Sequence, residues 1–147
     1  IEQTNKGCSM KLSELFETKL LEKKSGKTAW VILYTPDKLI LGKRAPGVNN
    51  PNQWNFFGGH IDDGETAVDA AVRELEEEIK VKLNTSDLKQ VAQIGDATYF
   101  AARVPAKVGS TTDEVSMIKQ FKLTELPQNL HSKTENFFHG LDHLFET

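Results

Sequence analysis

A single cysteine, Cys8, stands among 147 residues. That excludes an internal disulfide and any cysteine-built zinc centre, and leaves Cys8 as a free thiol near a terminus. No apolar run approaches the roughly 20 residues that span a bilayer, and no basic-then-apolar leader opens the chain. Basic residues form no long tract, and the net charge is −3, so duplex nucleic acid is not an expected partner. Internal repeats and low-complexity tracts are also missing. What is present is an ordinary globular composition, 38% hydrophobic and 27% charged, long enough for one domain with a real core and too short for two. A cytoplasmic protein without a membrane partner is expected.

Residues 1–9 are polar and aperiodic and read as a flexible leader ahead of Met10, with 10–147 forming a single domain. Leu12, Leu15, Phe16, Leu20 and Leu21 have partial helical spacing before a turn at Lys23-Lys24-Ser25-Gly26. Thr28 to Tyr34 and Leu39 to Leu41, joined by Thr35-Pro36-Asp37-Lys38, predict a β-hairpin. The hairpin ends in Gly42-Lys43-Arg44, and a cation such as Arg44 just past a strand is a candidate for holding phosphate oxygens. Ala45 to Gln53 reads as a loop. Trp54-Asn55-Phe56-Phe57 reads as one short strand that delivers Gly58-Gly59. Leu88 to Ile94 and Ala97 to Val104 predict two further strands, the second placing Tyr99 and Phe100 on opposite faces. A loop from Pro105 to Asp113 precedes Glu114, a strand through Phe121 and the exit Leu126-Pro127. Ser132 to Phe145 predicts a closing amphipathic helix. His139 and His143 have i, i+4 spacing there, but no third ligand converges with them in sequence and no zinc site is read from the pair.

Between these elements, Val68, Ala71, Val72, Leu75 and Ile79 recur on one side of a predicted helix that Thr66 can cap, with Asp69 three residues on. On an adjacent side Glu74, Glu77 and Glu78 stand at i, i+3 and i+4. Like charges at that spacing each cost roughly 0.2–0.5 kcal/mol, and the helix dipole disfavours acids in the last turns. A bound cation reverses that sign, and magnesium, a hard ion that shares its shell with water and phosphates, is the natural candidate. The bland alternative is a solvated acidic face with a Glu76–Lys80 pair.

Spacing decides between them. Gly59, five residues, Glu65, seven residues, Arg73-Glu74-Leu75, one residue, Glu77-Glu78, and one residue before Lys80-Val81 resemble the Nudix box, G-x5-E-x7-R-E-U-x-E-E-x-G-U, where U is aliphatic. The matched positions would arise by chance on the order of once per million chains of this length. Lys80 replaces the final glycine. If the chain turns left-handed there, a non-glycine residue costs about 1 kcal/mol, although a cation suits a helix C-terminus.

The resemblance implies an α/β (α+β) fold, an α/β/α sandwich with a mixed central sheet between the box helix and the closing helix. It implies a magnesium-dependent hydrolase, with manganese able to substitute. The reaction would cleave the pyrophosphate of a small-molecule nucleoside diphosphate derivative: a nucleotide sugar such as ADP-ribose, a dinucleoside polyphosphate or a nucleoside triphosphate. The Gly58 carbonyl, Glu74, Glu77 and Glu78 would bind metal. Arg73 would orient Glu77 or Glu74, and Gly59 and Glu65 would shape the box. The general base is a box glutamate or Glu114, with Glu125 second to Glu114. Tyr99 lies near the place of a substrate-binding tyrosine in family members, and Arg44 near that of a basic residue. His60 is read as rim. A homodimer is allowed. The other reading is a catalytically silent nucleotide-binding or regulatory module; such modules commonly lose box acids, and this chain keeps them. On the enzyme reading, Glu77→Gln and Glu78→Gln should each lower kcat at least about a hundredfold.

Overall fold

A computed structural model describes residues 27–105 and 107–145, with the side chains of 140–145 outside the description. The expected leader and the segment from Leu12 to Gly26 fall outside the described residues. Strands β1 (Thr28–Tyr34) and β2 (Leu39–Arg44) form the predicted hairpin, closed by Thr35 N–H on the Lys38 carbonyl at 2.9 Å. β3 is Trp54–Asn55 and β4 is Phe57–His60. β5 (Lys89–Ile94) and β6 (Ala97–Arg103) make a second hairpin, and β7 (Val115–Phe121) returns along β2. Two helices complete the unit, α1 (Ala67–Ile79) and α2 (Ser132–Phe145).

The seven strands share one mixed sheet, in which β1 and β6 run parallel and the other pairs antiparallel. Its functional feature is a split. β1 gives one edge wholly to β6 but divides the other, pairing with β2 at Leu33 and Tyr34 and with β4 from Thr28 to Val31. β2 turns to β3 at Gly42 and Lys43. The single strand expected over Trp54 to Phe57 is therefore two, each serving a different partner, and Phe56 at the break drops into the core at 2% exposure. The split holds Gly58 against β1, where an added Cβ would lie 2.1 Å from the Ala29 carbonyl oxygen; only glycine permits that approach.

The period-two alternation of β1 sends Ala29, Val31 and Leu33 towards α1, and Trp30, Ile32 and Tyr34 to the other face. On the α1 side they meet Ala70, Ala71, Leu75 and Ile79. On the α2 side Phe56, Tyr99 and Phe137 pack ring against ring, with centroids 5.2 to 6.2 Å apart. Among the described residues no helix is long and apolar enough to cross a membrane.

Candidate active site

α1 begins as its sequence dictates: the Thr66 hydroxyl accepts the Asp69 N–H at 3.2 Å. It ends at Lys80, which takes the left-handed conformation (φ 61°, ψ 32°) that a glycine adopts without strain. The Glu76–Lys80 pair of the solvated-face alternative does not form; Glu76 instead meets Lys82 at 3.7 Å.

The acids of α1 have separate fates. Glu78 is buried, and its Oε1 accepts the Gly58 N–H at 3.1 Å. Burial, then the neighbouring Glu74 charge, pushes its carboxyl up to about 8. Glu74 is half-buried against Gly59, where a Cβ would come within 2.7 Å of its Oε2. It is also raised, by burial foremost and against the pull of Arg73. The Glu77 side chain stays 57% exposed and reaches Arg73 at 3.3 Å.

Arg73 binds the loop before α1 to the helix. Its Nε and Nη2 donate to the two Glu65 carboxylate oxygens at 2.7 and 3.0 Å. Nη1 reaches Glu74 and Glu77 at 3.2 and 3.3 Å, and Nη2 also donates to the His60 carbonyl. Hydrogen bonding from Arg73 holds the Glu65 carboxyl at about 2, and the same contact raises Arg73 further.

Glu74, Glu78, Gly58 and Gly59 open into a cleft of about 480 Å³. Glu114, at the entry to β7, lines it too, and its charge adds to the pressure on Glu74 and Glu78. Arg44, Asn50, Trp30, His131 and Lys133 line the rest. Arg44 is fixed by its Nε on the Asn49 carbonyl at 2.6 Å. His131 stacks beside Trp30 with centroids 5.9 Å apart, and its Nδ1 accepts the Lys133 N–H at 3.1 Å. Burial first, then Arg44 and Lys133, lower its pKa. The neutral ring therefore carries its proton on Nε2. For Nε2 to donate, the Asn50 amide oxygen must face it in place of the Nδ2 now 3.3 Å away. The cleft is acidic at its α1 end and basic and aromatic at its α2 end.

A family model described as the NUDIX domain matches residues 24–141. The chain belongs to the Nudix family. Solved structures agree in fold. A MutT protein from Methanosarcina mazei superposes with a TM-score of 0.65 at 17% identity, covering 87% of this chain and 100% of its own. A MutT Nudix hydrolase from Burkholderia pseudomallei gives 0.61 at 20% identity, covering 80% and 98%. Among curated proteins, mouse oxidized purine nucleoside triphosphate hydrolase is 38% identical over 55 residues, which is 37% of this chain and 35% of the mouse protein. Nudix hydrolase 3 of Arabidopsis thaliana is 41% identical over 56 residues, 37% of this chain and 7% of that protein. The matched stretch thus spans about a third or less of these curated relatives.

Of the residues singled out from sequence, the Nudix cleft gathers Gly58, Gly59, Glu74, Glu78, Glu114 and Arg44, with the exposed His60 also lining it. Arg73, Glu65 and Glu77 are not among the residues lining it: Arg73 and Glu65 lock the box loop through their own contacts, and Glu77, expected as a metal ligand, is turned outward to Arg73. Two further expectations need correction. Tyr99 is fully buried, its hydroxyl donating to the Lys133 carbonyl, so it is a core residue and not a wall of the cleft; the strand face that seemed open is covered by α2. Glu125 is exposed in a short 3-10 turn and does not line the cleft. His131, Lys133, Asn50 and Trp30 were missed. The signal for His131 was its place just before the closing helix. That segment is carried to the split when Trp54 N–H bonds the Asn129 carbonyl and His131 N–H the Trp54 carbonyl, at 2.8 and 2.9 Å.

Among the described residues no three His, Cys, Asp or Glu side chains gather closely enough to enclose an ion as they stand. The donor chemistry nonetheless suits a hard cation: Glu74 and Glu78, both raised by burial and the second by the first, share a cleft with a third acid from another loop.

Proposed function

We propose that this Nudix protein is a magnesium-dependent hydrolase of the phosphoanhydride in a nucleoside diphosphate linked to another moiety. The observation that carries the reading is the buried Glu78 beside Glu74 in a cleft whose far wall is cationic and aromatic. Two acids so close and so buried are costly even with Arg73 on one and the Gly58 N–H on the other, and a cleft that is anionic at one end and cationic at the other suits a phosphate chain delivered with a divalent cation.

Glu74, Glu78 and Glu114, with the Gly58 carbonyl, would hold the ion. Bound magnesium, or manganese in its place, would neutralise phosphate oxygens as a Lewis acid and lower the pKa of a water. The protein's own residues do the rest. Gly58 N–H fixes Glu78, and Arg73 fixes Glu74 through the same guanidinium that anchors Glu65. Arg44, braced on Asn49, faces the phosphates. The proton of the attacking water passes to Glu74 or Glu114, the acids that face the cleft beside Glu78. His131 and Trp30 flank the leaving nucleoside portion, where a neutral ring with a directed N–H suits a polar, planar group.

The test is release of nucleoside monophosphate or pyrophosphate from a panel with and without magnesium. The panel holds ADP-ribose, dinucleoside polyphosphates, nucleotide sugars, NADH, FAD and nucleoside triphosphates. The mouse relative's name adds oxidised purine nucleoside triphosphates to it. Magnesium-dependent turnover of at least one member is expected; binding without turnover throughout would leave a regulatory module.

A further inference from the structure

The hydroxyl of Thr112 lies between the backbones of two cleft acids. Its Oγ1 donates to the Glu78 carbonyl at 2.7 Å and accepts the Glu114 N–H at 3.3 Å. One hydroxyl can do both, having one proton and two lone pairs. The contact spans 34 residues of sequence and joins the end of α1 to the loop before β7. Neighbouring bonds make the junction firm: Ser110 N–H caps the Ile79 carbonyl at 2.8 Å, and Thr112 N–H bonds the Val115 carbonyl at 3.0 Å. The Thr112 hydroxyl and the Ser110 N–H satisfy helix-end carbonyls beside Lys80, where the chain leaves α1 in the left-handed conformation.

We propose that Thr112 is a positioning residue that sets Glu114 in register with Glu78. The proposal rests on the reading of the cleft as a metal-dependent site. Glu114 comes from a loop, and a loop acid reaches a fixed geometry only when its backbone is tied to the element bearing its partners. Among the hydrogen bonds of the described residues, those of Thr112 are the ones that reach the main chain of both acids. If Thr112 served only as a helix cap, its loss would lower stability and leave the folded protein's cation affinity unchanged.

The experiment compares wild type with Thr112→Val, which keeps the shape and deletes both hydrogen bonds, and Thr112→Ser, which keeps the hydroxyl. Mn2+ affinity without substrate is read from the electron paramagnetic resonance of the free ion, and kcat and KM from the best substrate of the panel. Thr112→Val is expected to weaken Mn2+ binding and lower kcat by about tenfold each, with KM for substrate within about twofold, and Thr112→Ser to restore both to within about threefold. Should Thr112→Val not fold, judged by circular dichroism, Thr112→Ala removes the same bonds. Wild-type Mn2+ affinity and kcat in the variant lacking the hydroxyl would overturn the proposal, as would equal losses in Thr112→Ser or a wild type that binds no Mn2+. If wild type binds Mn2+ but hydrolyses nothing, the enzymatic reading fails while the Mn2+ comparison still judges Thr112.

Discussion

The α1 face of the sheet carries charge, and the α2 face carries rings. On the first, five acids (Asp62, Glu65, Glu74, Glu77 and Glu78) stand within reach of one arginine or at the cleft beside it. On the second, Phe56, Tyr99, Phe137 and Phe138 interlock, and the Thr134 hydroxyl ties the cluster to the chain by donating to Asn55 Oδ1 and accepting the Phe56 N–H. The two faces share β1, yet its side chains alternate so cleanly that neither cluster borrows from the other. Packing deep in the ring cluster can therefore be weakened without touching the acids of the cleft.

The largest expected effect is a loss of stability with chemistry intact. Phe137 is 1% exposed among three other rings. Phe137→Ala should cost about 3–5 kcal/mol in urea unfolding, while turnover per folded molecule stays near wild type. A fall in kcat without a fall in stability would break the comparison.

The smallest concerns Glu65, which sits on the charged face but serves structure. Its carboxyl is held at about 2 by Arg73, below the ordinary 4.5. A lowered acid contributes stability that is fully present above the ordinary value and is lost as pH falls through the lowered one. The gap in urea midpoint between wild type and Glu65→Gln should be widest above about pH 4.5 and close as pH falls towards about 2. A gap independent of pH would mean that the carboxylate charge is not what Arg73 recognises.

Much of this was legible in the residues. The hairpin, the box helix with its Thr66 cap and the closing helix each follow from local chemistry, namely turn residues, period and capping, whereas the left-handed turn at Lys80 was suggested only by the glycine at that place in the family pattern. The acids were legible because like charges on one helix face need a reason. What could not be read was which partner a strand takes and which face another element covers. Trp54 to Phe57 looks like one strand because its composition is uniform, and only the divergence of β1 and β2 divides it. Tyr99 looked available because strand alternation gives two faces without saying that α2 lies on one. His131 was hidden because its place just before the closing helix does not say that backbone bonds to Trp54 carry it to the cleft.

The structure also separates two adjacent acids that sequence alone treated alike. Glu78 is buried in the cleft at 9% exposure, whereas Glu77 lies outside it, turned to Arg73. The measurement that bears most directly on the central claim is kcat for Glu78→Gln and Glu77→Gln, taken beside their unfolding midpoints. Glu78→Gln is predicted to lose at least about a hundredfold in kcat without losing stability, because the amide keeps the bond from Gly58 N–H and replaces a carboxyl that burial already drives towards its neutral form, while taking a charge away from the bound cation; Glu77→Gln should lose about tenfold or less. Equal losses of rate in the two variants, or a Glu78→Gln enzyme that works like wild type, would contradict the account.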